Sequence, residues 1–101
     1  MRKVDIPKGY VIVTEAINDP DGMKAYGAAA RPTIAEHGGK ALVHDTKPEV
    51  LEGDWHGNQT VVLEFESVEA ARAWYESEGY QKAAKMRQAA ADSNAVILSG
   101  L

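Results

Sequence analysis

The residues best suited to chemistry are concentrated between positions 36 and 57, in the segment EHGGKALVHDTKPEVLEGDWHG. It contains all three histidines of the chain, His37, His44 and His56, together with several carboxylates. Imidazole and carboxylate groups bind divalent metals and can transfer protons near neutral pH. The histidines lie seven and twelve positions apart, across a glycine turn and a loop, whereas helical metal motifs use compact spacings. We therefore predict no metal site.

His44 is the histidine with the strongest claim to a catalytic role. Strand alternation in KALVHD places it on the same face as Leu42. At that position it could act as an acid or base, or it could be a structural histidine among apolar neighbours. We take His44 as the candidate catalytic residue, with Glu52 as a weaker companion in the following loop.

Arg87 is the second candidate, because it lies on a helical stripe of small and aromatic residues with Tyr80, Ala83 and Ala84. An arginine in such surroundings is expected to pair with a carboxylate, for example Glu64 or Glu52, or to hold an anionic ligand. Aromatic residues at helical spacing either fill a core or line a pocket for a flat organic molecule. The predicted ligand-binding residues are Tyr26, Glu52, Trp74, Tyr80 and Arg87.

The elements that must position these residues follow from periodicity and capping signals. We predict strands at 10–17, 40–45, 60–66 and 94–100, and helices at 21–37, 68–76 and 80–92. Asp19 or Asp21 and Ser67 are suitable helix caps, and Pro32 should kink the first helix. The order predicts a single α+β domain over residues 1–101, with the ferredoxin-like βαββαβ arrangement: a four-stranded antiparallel sheet with helices on one face.

The face of the sheet without helices decides the assembly. Alternation places Ile12, Ala16, Leu42 and Val62 on that face, and an isolated domain would leave this apolar surface in water. Pairing two sheets face to face would bury it. We therefore predict a homodimer with a barrel-like interface.

Composition excludes several classes of function. The net charge is −4, from 11 basic and 15 acidic residues without a basic cluster, and nucleic-acid binding normally needs a positive surface. No apolar run approaches the roughly 20 residues of a membrane span, and the start MRKVDIPKGY has no apolar segment typical of a signal peptide. The chain has no cysteine, which excludes disulfides and thiolate metal sites. These features favour a cytoplasmic protein that binds neither nucleic acid nor membrane.

Taken together, the motifs resemble a small bacterial family catalogued as domain of unknown function 1330. They are KGYVIV, PTIAEHGGK, LEG, VVLEFESVEAARAWYES and YQKAAKMRQAAADSNAVI, and they cover about residues 8 to 101. The family is similar in fold to the dimeric α/β-barrel superfamily, which includes small monooxygenases and muconolactone isomerases. The resemblance implies a ferredoxin-like homodimer and no established activity.

Two positions depart from the family pattern. His44, Asp45 and Thr46 replace a frequent Arg-Gly-Gly, and Gln59 or Thr60 replaces an arginine that is common before the third strand. Any anion binding by those arginines in relatives is therefore in doubt for this chain.

Three functions remain open. The first is a homodimer that binds a small organic molecule in a pocket between helices and sheet. The second is a cofactor-independent enzyme, similar to isomerases or monooxygenases, with His44 as base and Arg87 with Tyr26 or Tyr80 holding a carbonyl or aromatic substrate. The third is a structural dimer or interaction module with a filled interior. No phosphate loop or dinucleotide motif is present, so we predict no cofactor.

Overall fold

The computed structural model describes residues 5–101 and contains four strands and three helices. In chain order they are β1 (Gly9–Ile17), α1 (Pro20–Glu36), β2 (Lys40–Asp45), β3 (Gln59–Phe65), α2 (Val68–Glu76), α3 (Glu78–Ala90) and β4 (Ala91–Ser99). All neighbouring strands are antiparallel, in the sheet order β2-β3-β1-β4. This confirms the predicted ferredoxin-like α+β fold.

The helices begin at side-chain caps. Asp19 accepts a hydrogen bond from the Gly22 amide at the start of α1, and Ser67 accepts one from Ala70 at the start of α2. Ser77 caps α3 by accepting from the Tyr80 amide, so α3 begins two residues earlier than predicted. Each cap satisfies a backbone donor that the helix itself leaves without a partner.

β4 also begins earlier than predicted, because α3 ends at Ala90 and the strand follows directly at Ala91. The predicted strand started only at residue 94. The extra residues include Ser93, which pairs with Glu15 of β1. This register places the C-terminal end of β1 beside the end of α3.

The hydrophobic core lies between the helices and one face of the sheet, here called the helix side. Val11 and Val13 of β1 and Leu63 and Phe65 of β3 are each no more than 4% exposed. They pack with aromatic and small side chains of the three helices, chiefly Trp74, Tyr80, Ala30, Ala71, Ala83 and Ala84. Phe65 and Trp74 are in direct contact, with ring centroids 5.3 Å apart.

The opposite face of the sheet, here called the open face, carries no helix. Ile12 pairs with Val62 on one side and with Val96 on the other, which gives an apolar centre. Val96 is 48% exposed and Leu98 is 46% exposed. The prediction for Ile12 and Val62 is therefore confirmed, and the open face is apolar and accessible.

A β-bulge corrects the predicted faces of β2. The register shifts between Ala41 and Val43, so that Val43 lies opposite Val62 on the open face. His44 lies opposite Val61 and therefore belongs to the helix side. The alternation that placed His44 with Leu42 on the open face was wrong for His44, because it assumes an uninterrupted strand and a bulge inserts one extra residue.

A long connection of residues 46–58 joins β2 to β3, here called the β2–β3 loop. Trp55 donates its indole N–H to Thr60 Oγ1 at 2.9 Å, and the Asn58 amide donates to the Glu15 carbonyl at 2.9 Å. These bonds fasten the end of the loop to the sheet. Within residues 5–101, none of the three helices combines the length and apolarity needed to cross a membrane.

Candidate functional site

Arg87 is the most unusual side chain of the helix side, because it is charged and only 3% exposed. It projects from α3, donates from Nε to the Tyr80 hydroxyl at 3.4 Å and donates from Nη1 to Ser93 Oγ of β4. Among residues 5–101 no carboxylate forms an ion pair with it. The predicted pairing with Glu64 or Glu52 was therefore wrong: Glu64 accepts from Tyr10, and Glu52 lies in the exposed loop.

Electrostatics keep Arg87 charged despite its burial. Burial lowers the pKa of its guanidinium, but Tyr80, Tyr26 and Glu15 together outweigh this, so the pKa lies above its ordinary value. A buried cation without a paired anion is costly unless its donors are satisfied. Here the hydroxyl groups of Tyr80 and Ser93 accept from Arg87, and the nearby Glu15 favours its charged form.

Tyr26 extends this network outward from Arg87. Its hydroxyl is 2.8 Å from the Tyr80 hydroxyl, and the Arg87 guanidinium lies 6.0 Å from the centroid of its ring. Because Arg87 donates to Tyr80, Tyr80 can donate to Tyr26, which leaves the Tyr26 hydroxyl hydrogen for a further acceptor. Burial, with a smaller contribution from Tyr80, raises the pKa of Tyr26 far above its ordinary value. Tyr26 therefore remains a neutral donor.

Trp74 and Tyr80 support the network from the core. Each is 1% exposed, and their ring centroids are 4.0 Å apart. The Trp74 indole N–H donates to Thr33 Oγ1 at 3.0 Å, and Thr33 in turn donates to the Ala30 carbonyl. Trp74 is thus fixed in position by packing and by a buried hydrogen bond.

Glu15 is a second buried residue of a charged type and is 2% exposed. It lies on the same face of the sheet as Ser93, which accepts from Arg87. In the sheet it lies between Gln59 of β3 and Ser93 of β4. Gln59 donates from Nε2 to Glu15 Oε1 at 2.7 Å. Glu15 therefore occupies the middle of a polar band across the helix side.

His44 lies at the β2 end of this band. Its Nε2 is 3.0 Å from Gln59 Oε1, and its side chain is exposed. The polar band thus runs, in order, through His44, Gln59, Glu15, Ser93, Arg87, Tyr80 and Tyr26. We use the name polar band for these seven residues.

The structure brings four predicted ligand-binding residues together and separates the fifth. Tyr26, Trp74 and Arg87 each contact Tyr80, whereas Glu52 lies in the exposed β2–β3 loop. Glu52 helps to line a cavity of about 400 Å³ formed within that loop by residues 48–52 and Trp55. The roles assigned to all of these residues remain predictions.

A second cavity, of about 210 Å³, lies where Tyr75 of α2 meets β1 and the edge strand β4. Its lining is largely apolar and consists of Val11, Tyr75, Ala95, Val96 and Ile97. Ser93 and Ala95 alternate along β4 and so share the helix side, about 7 Å apart at the strand rise. The cavity therefore lies close to the Arg87 end of the polar band.

The other two histidines have different partners. His37 Nδ1 is 2.9 Å from the Thr33 carbonyl at the end of α1, as expected for a helix-terminal residue. His56 is half-buried on the open face, with Nδ1 2.7 Å from Thr14 Oγ1 and Nε2 3.3 Å from Asp92. His56 therefore joins the β2–β3 loop to β1 and β4.

Sequence reasoning did not identify Glu15, Gln59 or Ser93 as site residues. A signal for Glu15 existed: it alternates with Val11 and Val13, so a core-facing carboxylate was readable from the strand pattern. Ser93 could not be placed, since the predicted β4 began after it. The role of Gln59 depends on a cross-strand pair that no local pattern reveals.

The element order and the strand order define a ferredoxin-like α+β protein, and several solved structures share this fold. A protein of unknown function from Rhodopseudomonas palustris is 26% identical, with a TM-score of 0.70 over 97% of this chain and 85% of the other. SnoaB, a cofactor-independent oxygenase from Streptomyces nogalater, is 14% identical, with a TM-score of 0.68 over 94% of both chains. A dimeric ferredoxin-like protein of unknown function from Thermobifida fusca is 14% identical, with a TM-score of 0.63 over 98% of this chain and 96% of the other.

Residues 8–101 match the model of the domain of unknown function DUF1330, so the chain belongs to that family. No curated protein sequence matches it. The family resemblance inferred from the motifs is confirmed, and so is the ferredoxin-like architecture. The solved structures below 25% identity establish the fold and nothing about chemistry.

Proposed function

We propose that the protein is a homodimer that binds a small organic acid on the helix side of its sheet, with Arg87 as the anchor. The observation that carries the proposal is that Arg87 is 3% exposed, charged, and without an ion-pair partner among residues 5–101. A guanidinium binds carboxylates through paired, charge-assisted hydrogen bonds. A ligand carboxylate would supply the anion that the described protein contacts do not.

The neighbouring groups fit such a ligand. When Tyr80 donates to Tyr26, the Tyr26 hydroxyl hydrogen is left for an oxygen of the ligand, and Ser93 lies beside the guanidinium. The apolar cavity begins at Ala95, about 7 Å along β4 from Ser93. Its volume of about 210 Å³ is small for a ligand site, so it suits only a compact hydrocarbon or aromatic group. The ligand class that these features favour is a monocyclic carboxylic acid.

The experiment compares aromatic carboxylic acids, such as benzoate, with their uncharged amides by isothermal titration calorimetry. We expect the acids to bind more tightly, and Arg87→Met to weaken acid binding about 10- to 100-fold, the equivalent of about 1.5–3 kcal/mol for a charged hydrogen-bonded contact. Arg72→Met is the matched control, because Arg72 lies exposed on α2. Equal binding of acids and amides, or an unchanged affinity in Arg87→Met, would contradict the proposal.

A cofactor-independent enzyme is the second candidate function, and the position of His44 favours it. A histidine fastened through Gln59 to a buried carboxylate is oriented as general bases usually are. The fold likeness to an oxygenase is an analogy that points the same way.

The sheet geometry limits the substrates of such an enzyme. His44 and Ser93 lie on strands three spacings apart, about 14 Å across the sheet. A molecule that contacts both His44 and Arg87 must therefore be extended, with more than one ring or a long chain. Turnover that disappears in His44→Ala while the circular dichroism spectrum is kept would support the enzyme; full turnover in that variant would exclude His44 as its base.

A further inference from the structure

A chain of three side chains connects the core to the exposed edge of the sheet. Glu15, Gln59 and His44 belong to three adjacent strands, and two hydrogen bonds of 2.7 Å and 3.0 Å join them. We infer that Glu15 and Gln59 are positioning residues that hold His44 in the tautomer protonated at Nε2, with the Nδ1 lone pair left available to a substrate. The inference rests on the second proposed function, in which His44 is the base.

The first step is the orientation of the Gln59 amide. The amide nitrogen of Gln59 donates to Glu15 Oε1 at 2.7 Å, so the nitrogen end of the amide faces Glu15. Glu15 is 2% exposed and the Gln59 side chain is fastened between two strands, so neither group turns freely. The buried carboxylate thereby determines which end of the amide points towards β2.

The second step is the effect on the imidazole. With its nitrogen turned to Glu15, Gln59 presents only its carbonyl oxygen to His44, and a carbonyl oxygen accepts. Nε2 of His44 must then carry the hydrogen, and neutral imidazole carries only one. The lone pair therefore lies on Nδ1, which has no hydrogen-bond partner among residues 5–101.

The arrangement fits a base better than it fits a structural histidine. A partner on one ring nitrogen determines the tautomer and orientation, and the other nitrogen is left for the reaction. The exposed imidazole gains little from burial, so the two-step connection to a buried carboxylate is not explained by core packing. The same connection restrains the ring at the edge of the polar band, where an extended substrate would end.

The test is a long-range ¹H–¹⁵N correlation spectrum of uniformly ¹⁵N-labelled protein, recorded well above the ordinary histidine pKa. His44→Gln assigns the His44 signals. We expect wild-type His44 to show a protonated Nε2 and an unprotonated Nδ1. His37 is the internal reference for the opposite tautomer, because its Nδ1 faces the Thr33 carbonyl and must donate to it.

Two variants test the dependence on Gln59 and Glu15. Gln59→Leu removes the oxygen that accepts from His44. In Glu15→Gln the new amide can either donate or accept, so the Gln59 amide can turn over and present its nitrogen to His44. In both variants we expect the His44 nitrogen shifts to move towards averaged values, while the His37 shifts stay unchanged. His44 protonated at Nδ1 in the wild type, or His44 shifts that are identical in all three proteins, would overturn the inference.

These outcomes are independent of whether the protein is an enzyme. The tautomer is measured without substrate, so a failed His44→Ala activity test would remove the catalytic role and leave the observed tautomer in place. Conversely, an activity that depends on His44, found together with a His44 protonated at Nδ1, would support the enzymatic function. It would contradict the positioning role of Glu15 and Gln59.

Discussion

At the scale of single residues, the main feature is a pair of buried charges that do not form an ion pair with each other. Arg87 and Glu15 are each at most 3% exposed, and each is held by neutral partners. Buried charges held in this way are weak contributors to stability, because desolvation offsets most of what they gain. These two buried charges are the feature on which the proposed ligand site rests.

The hydrogen bond between Trp74 and Thr33 should be measurable as a contribution to stability. Thr33→Val keeps the side-chain volume and leaves the buried indole N–H without its acceptor, so we expect a loss of about 1–3 kcal/mol in the free energy of unfolding. Urea denaturation followed by circular dichroism checks it. Trp74→Phe removes the donor, so in that background Thr33→Val should lower the free energy of unfolding by distinctly less. An equal loss in both backgrounds would exclude the hydrogen bond as the cause.

Tyr26 should make the protein less stable in alkaline solution. Its pKa in the folded state is raised by burial, whereas in the unfolded chain it ionises near its ordinary value of 10.0. The free energy of unfolding is therefore unaffected by Tyr26 ionisation below pH 10.0. It falls as the pH rises beyond that value, by at most about 1.4 kcal/mol per pH unit. Urea midpoints from neutral to alkaline pH measure this slope, and Tyr26→Phe should flatten it; an equal slope in that variant would assign the effect to other groups.

Sequence alone could identify Arg87, Tyr26 and Tyr80 as neighbours, because they lie on helices whose apolar stripes face inward. It could not show that Arg87 lacks a paired carboxylate, since that depends on where Glu64 and Glu52 point across the fold. The link from His44 to Glu15 was equally inaccessible. It combines a bulge, a cross-strand register and a side chain from a third strand.

At the scale of secondary-structure elements, the β2–β3 connection is the part that local patterns describe least. β1, β2, β3 and α2 were predicted to within one residue at each end, because β-branched runs and the Ser67 cap are local signals. The bulge at Ala41/Val43 and the return of the loop onto β1 are consequences of tertiary contacts. Both features determine which residues share a face with Glu15.

Gly57 should be more sensitive to substitution than Gly53 in the same loop. Both have positive φ, 77° and 72°, so alanine costs about 1–2 kcal/mol of backbone strain at either position. A Cβ at Gly57 would also collide with the Glu15 backbone carbonyl, whereas none of the described atoms lies within 4 Å of one at Gly53. We therefore expect Gly57→Ala to lower the urea midpoint by more than Gly53→Ala does, and equal midpoints would contradict the collision.

At the scale of the whole molecule, one sheet face is covered by helices and the other is apolar and bare. Val43, Val96 and Leu98 are each more than 40% exposed, and they surround the Ile12–Val62 centre of the open face. The Thermobifida fusca structure is described as a dimeric ferredoxin-like protein. A second copy of this chain packed sheet to sheet is the occupant that we propose for this face.

Charge on the open face should separate the proposed dimer. Val96→Asp places a carboxylate near the centre of that face in both copies, so we expect a shift from dimer to monomer in analytical ultracentrifugation. Ala73→Asp, on the exposed surface of α2, is the control and should leave the assembly unchanged. A wild-type protein that sediments as a monomer, or a Val96→Asp variant that remains dimeric, would refute the sheet-to-sheet interface.

The bulge in β2 has a consequence for solubility. β2 is an edge strand, and the unpaired backbone of an edge can template the addition of strands from other molecules, which leads to aggregation. A bulge between Ala41 and Val43 interrupts the regular spacing of those backbone groups, and the exposed Lys40 adds a charge at the start of the strand. The same irregularity that turns His44 towards the polar band therefore also makes this edge a poor starting point for fibrils.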